Sequence, residues 1–222
     1  MALASNKLIA TIDAAVAVSA SEVEKFVEAA RRRLPDMPDS DLIIALERSY
    51  TGLVATTGAA AGGVAAAPGV GLASGALAAA ADASAFTTAT AVYVLGVASV
   101  HGIAVEEIER RKALILTVLV GPGGVGVVER IAGRTGAHWG RRVTQAVPLT
   151  TIRQINRVLG RNVVTKYGTK QGILVIGKMA PFGFGAAIGA GGNVALARMA
   201  VRSTRSAFGP LPSAADEASA SK

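Results

Sequence analysis

The chain has 222 residues, with 23 Lys and Arg against 15 Asp and Glu, and no cysteine. That length suits one domain with a sizeable core, or one domain and a small appendage. The missing cysteine excludes disulfides, thiolate zinc sites and a thiol nucleophile together. Hydrophobic residues make up 51% of the chain, yet aromatics only 4%, and there are 26 glycines. A core built from Ala and Val has little bulk per residue, so its helices must approach closely to bury enough surface.

Charge is unevenly distributed. Through Glu129 there are 9 Lys and Arg against 13 Asp and Glu, whereas Arg130 to Ala215 holds 13 Lys and Arg and no acid. Such a stretch calls for an anionic partner: a lipid surface, a nucleic acid, or the acidic half of the same fold. Glu22, Glu24, Glu28, Glu106, Glu107 and Glu109 are the acids available for the last of these.

In chain order, Met1–Ala20 has a lysine, an apolar run and a small-residue end, as a signal peptide does. Asp13 interrupts the apolar run, and the segment reads as a first amphipathic helix. Ser21-Glu22-Val23-Glu24 is a capping box for a helix to about Arg33, ended by Pro35 and Pro38. A longer helix follows from Asp41 to about Ala66. Pro68-Gly69 breaks it, and a third runs from about Gly71 to Val100 and stops at His101-Gly102, completing an antiparallel hairpin.

Between Arg48 and Glu106 the only charged residue is Asp82. That leaves room for two spans of about 20 residues, although Ala and Gly offer far less apolar surface than Leu-rich spans. Small residues at four-residue spacing suit close helix contact in lipid or in water, so the hairpin reads as a tight soluble core or as a re-entrant pair. Asp82 reads as a buried group meeting a cation such as Arg48, with an intramembrane or pocket carboxylate as the functional alternative.

Glu106 to Lys112 starts a charged helix leading into Ala113–Val120, too short to span a bilayer and ended by Gly121-Pro122-Gly123-Gly124. Pro148 then introduces a helix in which Arg153, Arg157 and Arg161 recur every four residues while Ile152, Ile155 and Leu159 line another face. That is a basic amphipathic helix. Trp139, beside Arg141 and Arg142, has the character of an interfacial anchor. A final helix begins near Pro181, carries the GxxxG pair Gly185 and Gly189, and halts at Gly209-Pro210. Asn193 within it reads as an interhelical hydrogen-bond group. Ser213 to Lys222 reads as a disordered tail.

Three stretches carry a family likeness: TTGAAAGGVAAAPGVGLASGALAAAADASAF, VASVHGIAVEEIERRKALILTVLVG, and KMAPFGFGAAIGAGGNVALARMA. Together, across roughly residues 45 to 210, they resemble the EcsC-like family of bacterial proteins. The resemblance implies a helical, membrane-associated protein linked by name to an ABC transport system. It brings no catalytic residues to carry over.

Motifs for chemistry fail on their surroundings. Gly121 to Gly126 satisfies GxGxxG, but no acid follows to hold a ribose and Pro122 removes an N–H from the turn. Gly172 and Gly177-Lys178 match the spacing of a phosphate loop, but Met179 stands where magnesium needs Ser or Thr. Ser74 is off the GxSxG spacing. His101 and His138 lack metal-ligand spacing, and His101 reads as a helix C-terminus whose partial charge suits the dipole. Nucleic-acid binding lacks aromatic platforms beyond Trp139 and Tyr167.

The expected protein is all-α, with N-terminal helices over 1–40, a helical domain over 41–208 and a tail over 209–222. Its packed centre is the hairpin and the final helix, where Asp82, Gly185, Gly189 and Asn193 serve packing. Its basic face is Arg141, Arg142, Arg153, Arg157 and Arg161 with Trp139, set against the anionic inner leaflet of a bacterial membrane. No enzyme activity, cofactor or metal is expected. The alternative is a soluble helical module docking an acidic protein partner, a transport complex included; a third reading is a pocket for an apolar ligand between the small-residue helices.

Overall fold

The computed structural model describes residues 10–17, 20–33, 35, 37–66, 72–134, 136, 138–178 and 184–210, without the side chains of 20–22, 64–66, 72–77, 79, 80, 164–178 and 184–190. The expected breaks at Pro68-Gly69 and Pro181 and the tail from Ser213 lie outside these residues. The described chain is an all-α bundle of α1 (10–16), α2 (Ala20–Arg33), α3 (Asp39–Ala66), α4 (Leu72–Val100), α5 (Ile108–Val120), α6 (Pro122–Ala132), α7 (Trp139–Gln145), α8 (Leu149–Lys178) and α9 (Phe184–Phe208). No described residue is in a strand.

The chemistry of the helix ends is visible in the sequence. After Val100 the chain turns through Gly102 at φ +70°, while the Ile103 N–H reaches Ala98 O at 2.9 Å and the Gly102 N–H reaches Ser99 O at 2.9 Å. This is a Schellman ending, which needs the left-handed conformation glycine adopts freely. Gly121, at φ +73°, closes α5, and Pro122 opens α6 at its first position. The GxGxxG string is therefore a joint between two helices. Gly172, Gly177 and Lys178 lie within α8, and Ser74 within α4, so neither the phosphate-loop spacing nor the serine sits on the loop its chemistry requires.

Helix α3 packs most extensively on α4 and α9. Its contacts with both run in opposite chain directions: Tyr50 meets Thr90 and Tyr93, Val54 meets Asn193, and Glu47 meets Arg205. Both pairs are antiparallel. The Tyr50 and Tyr93 rings stack at 4.6 Å and 7°. Thr90 donates its hydroxyl to Phe86 O at 2.7 Å, so Tyr50 is the donor in its 2.8 Å bond to Thr90.

The helix most completely enclosed is α5, where Ala113 through Val120 are all buried. The run expected to be too short to span a bilayer is thus the axis of the core, with α4, α6, α7, α8 and α9 around it. Ile12, Val16, Val23 and Val27 of the first two helices belong to the same apolar cluster.

Helix α7 turns Trp139, Gly140, Val143 and Thr144 inward and packs on the end of α9. A Cβ on Gly140 would stand 2.9 Å from both Cβ and O of Ala207. Gly140→Ala should therefore cost about 1–3 kcal/mol through forced separation of α7 from α9. Urea unfolding checks this; an unchanged midpoint would mean the contact relaxes freely.

Candidate functional site

Helix α8 separates its faces cleanly. Ile152, Ile155 and Leu159 are 0% exposed, whereas Arg153, Arg157 and Arg161 are all exposed. With 3.6 residues per turn, steps of four advance about 40° beyond a full turn, so the arginines form a gently winding ridge. Arg157 and Arg161 border a hollow of about 240 Å³ against α1 and α5, where Lys112 pairs with Asp13. At the same seam Asn156 ties α8 to α5, donating to Glu109 O at 2.9 Å and Glu109 Oε2 at 2.6 Å.

The remaining members of the expected basic face divide. Arg142 is exposed, lies beside Pro148 and Thr151 at the start of α8, and donates to Arg134 O at 3.2 Å. Arg141 is half-buried, near enough to His101 for its charge to be felt there. Trp139 is corrected outright. It is 1% exposed and belongs to the core, so it cannot reach a lipid interface. In so aromatic-poor a chain, burying the one indole gains more than leaving it at the surface.

Asp82 is 4% exposed and Asn193 3%. Asn193 donates from Nδ2 to Asp82 Oδ1 at 2.8 Å and to Val54 O at 3.1 Å, joining α9, α4 and α3 at one point. The expected partner Arg48 is not at this site; it is exposed on α3. Gly185 and Gly189 fall in the first turns of α9, and their surroundings lie outside the described residues.

A second basic group escaped the sequence reading. Arg198, Arg202 and Arg205 on α9 stand at i, i+4 and i+7, and with Arg48 they line a groove of about 570 Å³ between α3 and α9. The spacing is present in the sequence, interleaved with the small-residue pattern of the same helix. Arg205 grips Glu47 with two nitrogens, Nε to Oε1 at 2.7 Å and Nη2 to Oε2. The Glu47 side chain is 8% exposed against 62% for Arg205, so the guanidinium lids a buried carboxylate. The hydrogen bond and charge of Glu47 raise the Arg205 pKa further, and burial followed by that same negative charge pushes the Tyr93 phenol well above its usual range.

His101 differs from the expected charged helix end. It is buried after α4, stacked on Phe208 at 5.5 Å, and its pKa is lowered from 6.5 by burial, then by Arg141 and His138, against an opposing pull from Asp39. The neutral ring is the favoured form. His138 is exposed and takes the left-handed conformation at φ 67° before α7.

No group of three His, Asp or Glu among the described residues could hold a metal. Against models of known families, curated proteins and solved structures, the chain finds no match.

Two predictions follow from these geometries. Asn193→Ala should cost about 1–3 kcal/mol, because Asp82 and Val54 O both lose a buried hydrogen-bond donor. Asn193→Asp should destabilise the bundle as well, because an acceptor then replaces the donor that faces Asp82 Oδ1. Denaturant midpoints test the pair, and a midpoint unchanged in either variant would refute it. For His101, the folded pKa is the lower one, so the unfolded chain protonates first. The associated stability is complete above about pH 6.5 and declines as pH falls through and below that value. His101→Gln should flatten the loss of thermal midpoint between pH 7.5 and 5.5; equal losses would refute the assignment.

Proposed function

We propose that this is a membrane-associated helical accessory or lipid-handling protein, without catalysis of its own, that lies with α8 against an anionic bilayer surface. The observation that carries this reading is the α8 ridge: exposed Arg153, Arg157 and Arg161 backed by wholly buried Ile152, Ile155 and Leu159. The buried face fixes which way the cations point, and Arg142 beside the helix start adds a fourth. Each cation near an anionic leaflet contributes about 1 kcal/mol at modest ionic strength, so the attachment is firm but salt-sensitive.

Peripheral contact suits the fold better than insertion. Ala81–Val100 is long and apolar enough to cross a bilayer, but 61% of that window is already buried inside the bundle. Asp82, Thr87 and Thr90 lie among its buried residues. The resemblance to EcsC-like proteins adds the cytoplasmic side of a bacterial membrane as the place.

Flotation with neutral and anionic liposomes at low and high salt tests the proposal. Wild-type protein should float with anionic vesicles only and be released by salt, and Arg153→Gln/Arg157→Gln should reduce the floated fraction several-fold. Absence of flotation under all conditions would sink the membrane reading and favour an acidic protein partner for the same ridge. Flotation that resists salt and carbonate would instead indicate insertion.

A further inference from the structure

The groove between α3 and α9 plays no part in the reading above. It is lined by Glu47, Arg48, Thr51 and Gly52 on α3, and by Arg198, Arg202 and Arg205 on α9. Arg205 is neutralised by Glu47, but Arg48, Arg198 and Arg202 have no carboxylate partner among the described residues. Three guanidinium groups therefore share one groove. Such an arrangement costs self-repulsion in the free protein and is relieved by an anion. Planar forks of N–H donors suit phosphate oxygens in particular.

The position a Cβ on Gly52 would take has nothing within 4 Å, and Ala55 and Val201 supply the half-buried apolar lining. Beyond the arginines the exposed positions of α3 are Leu53, Thr56, Ala60 and Gly63, and those of α9 among the residues with described side chains are Ala195 and Gly191. None carries a charge. From Ala55 to Gly63 this strip extends about 12 Å along the helix axis. One end of the α3–α9 face thus offers cations, and the adjoining length offers charge-free, mostly small residues together with the exposed Leu53.

We propose that this face is a binding site for a single anionic phospholipid, its phosphate among Arg48, Arg198 and Arg202 and an acyl chain along the small-residue track. A free phosphate would use the arginines but gain nothing from the track; an amphiphile uses both. The inference deepens the lipid-handling reading and rests on it for the class of ligand, but it uses different residues from the α8 ridge.

The test is calorimetric titration with dihexanoyl phosphatidic acid below its micelle concentration, alongside glycerol 3-phosphate and dihexanoyl phosphatidylcholine. Wild-type protein and Arg153→Gln/Arg157→Gln should bind the phosphatidic acid saturably and equally. Arg198→Gln/Arg202→Gln should bind at least tenfold more weakly, and Ala195→Leu, a change at an exposed position, should also weaken binding. Relief of like-charge repulsion should let the Arg198→Gln/Arg202→Gln protein melt no lower than wild type in the absence of lipid, which separates lost binding from lost folding.

Unchanged affinity in Arg198→Gln/Arg202→Gln overturns the site. Glycerol 3-phosphate binding as tightly as the lipid overturns the acyl track, and equal binding of phosphatidylcholine overturns selection for net negative charge. A duplex oligonucleotide that displaces the lipid at lower concentration overturns the assignment to lipid. Vesicle flotation without short-chain binding refutes this site alone; short-chain binding without flotation supports it while refuting the α8 surface.

Discussion

A core made of alanine, valine and glycine stabilises a fold only if helix axes come close together, because each side chain contributes little area and dispersion contact falls off within an ångström. Helices α3, α4 and α9 meet that requirement side by side. Close packing of small side chains leaves their register weakly specified, since one Ala or Gly resembles the next. The Asn193 amide supplies what the packing lacks. By donating to Asp82 on one neighbour and to Val54 O on the other, it ties three helices at a single height. The stacked Tyr50 and Tyr93 and the Glu47–Arg205 pair repeat the same height relation further along the helices. The polar groups within this bundle therefore act as registration points, and the arginines outside it take their positions from them.

The charge imbalance along the chain is partly absorbed by the fold. Glu47–Arg205 joins the acidic and basic halves, and Glu109 accepts from Asn156 at the α5–α8 seam. Other acids pair within their own half, as Asp13 with Lys112, Asp39 with Arg31 and Glu107 with Arg110. Their cations come from the first half, so these particular pairs do not offset the charge of the second. It appears on two surfaces, the exposed arginines of α8 and the groove between α3 and α9.

Much of the architecture was legible because local signals and packing agree. Pro148 marks α8, and Gly102, Gly121 and Gly209 mark the ends of α4, α5 and α9, whereas α2 already begins at Ala20, one residue before the expected Ser21 cap. The alternation of isoleucine and arginine on α8 translated directly into buried and exposed faces. What failed were judgements about partners. Asp82 was matched with Arg48 because opposite charges attract, but an amide from a helix more than a hundred residues away satisfies it. Trp139 reads as interfacial from residue type and basic neighbours, although a seven-residue helix can hide its indole while showing Arg142 and half-burying Arg141. His101 was read as a cation from its place at a helix end, yet burial and Arg141 outweigh the dipole. Such outcomes depend on three-dimensional neighbours, which spacing along one helix does not encode.

The burial of Trp139 also governs how this molecule can be observed. It is the chain's single indole, so tryptophan emission reports from one place, the packing of α7 around α5 and α9. Tyrosine absorbance, by contrast, is weighted toward the stacked Tyr50 and Tyr93 of the three-helix layer. The two chromophores thus divide the bundle into separately readable regions. Coincident melting of both signals is the condition for treating the protein as one cooperative unit. An indole transition preceding the tyrosine one would reveal a bundle that loosens first around α7, with its small-residue layer still assembled.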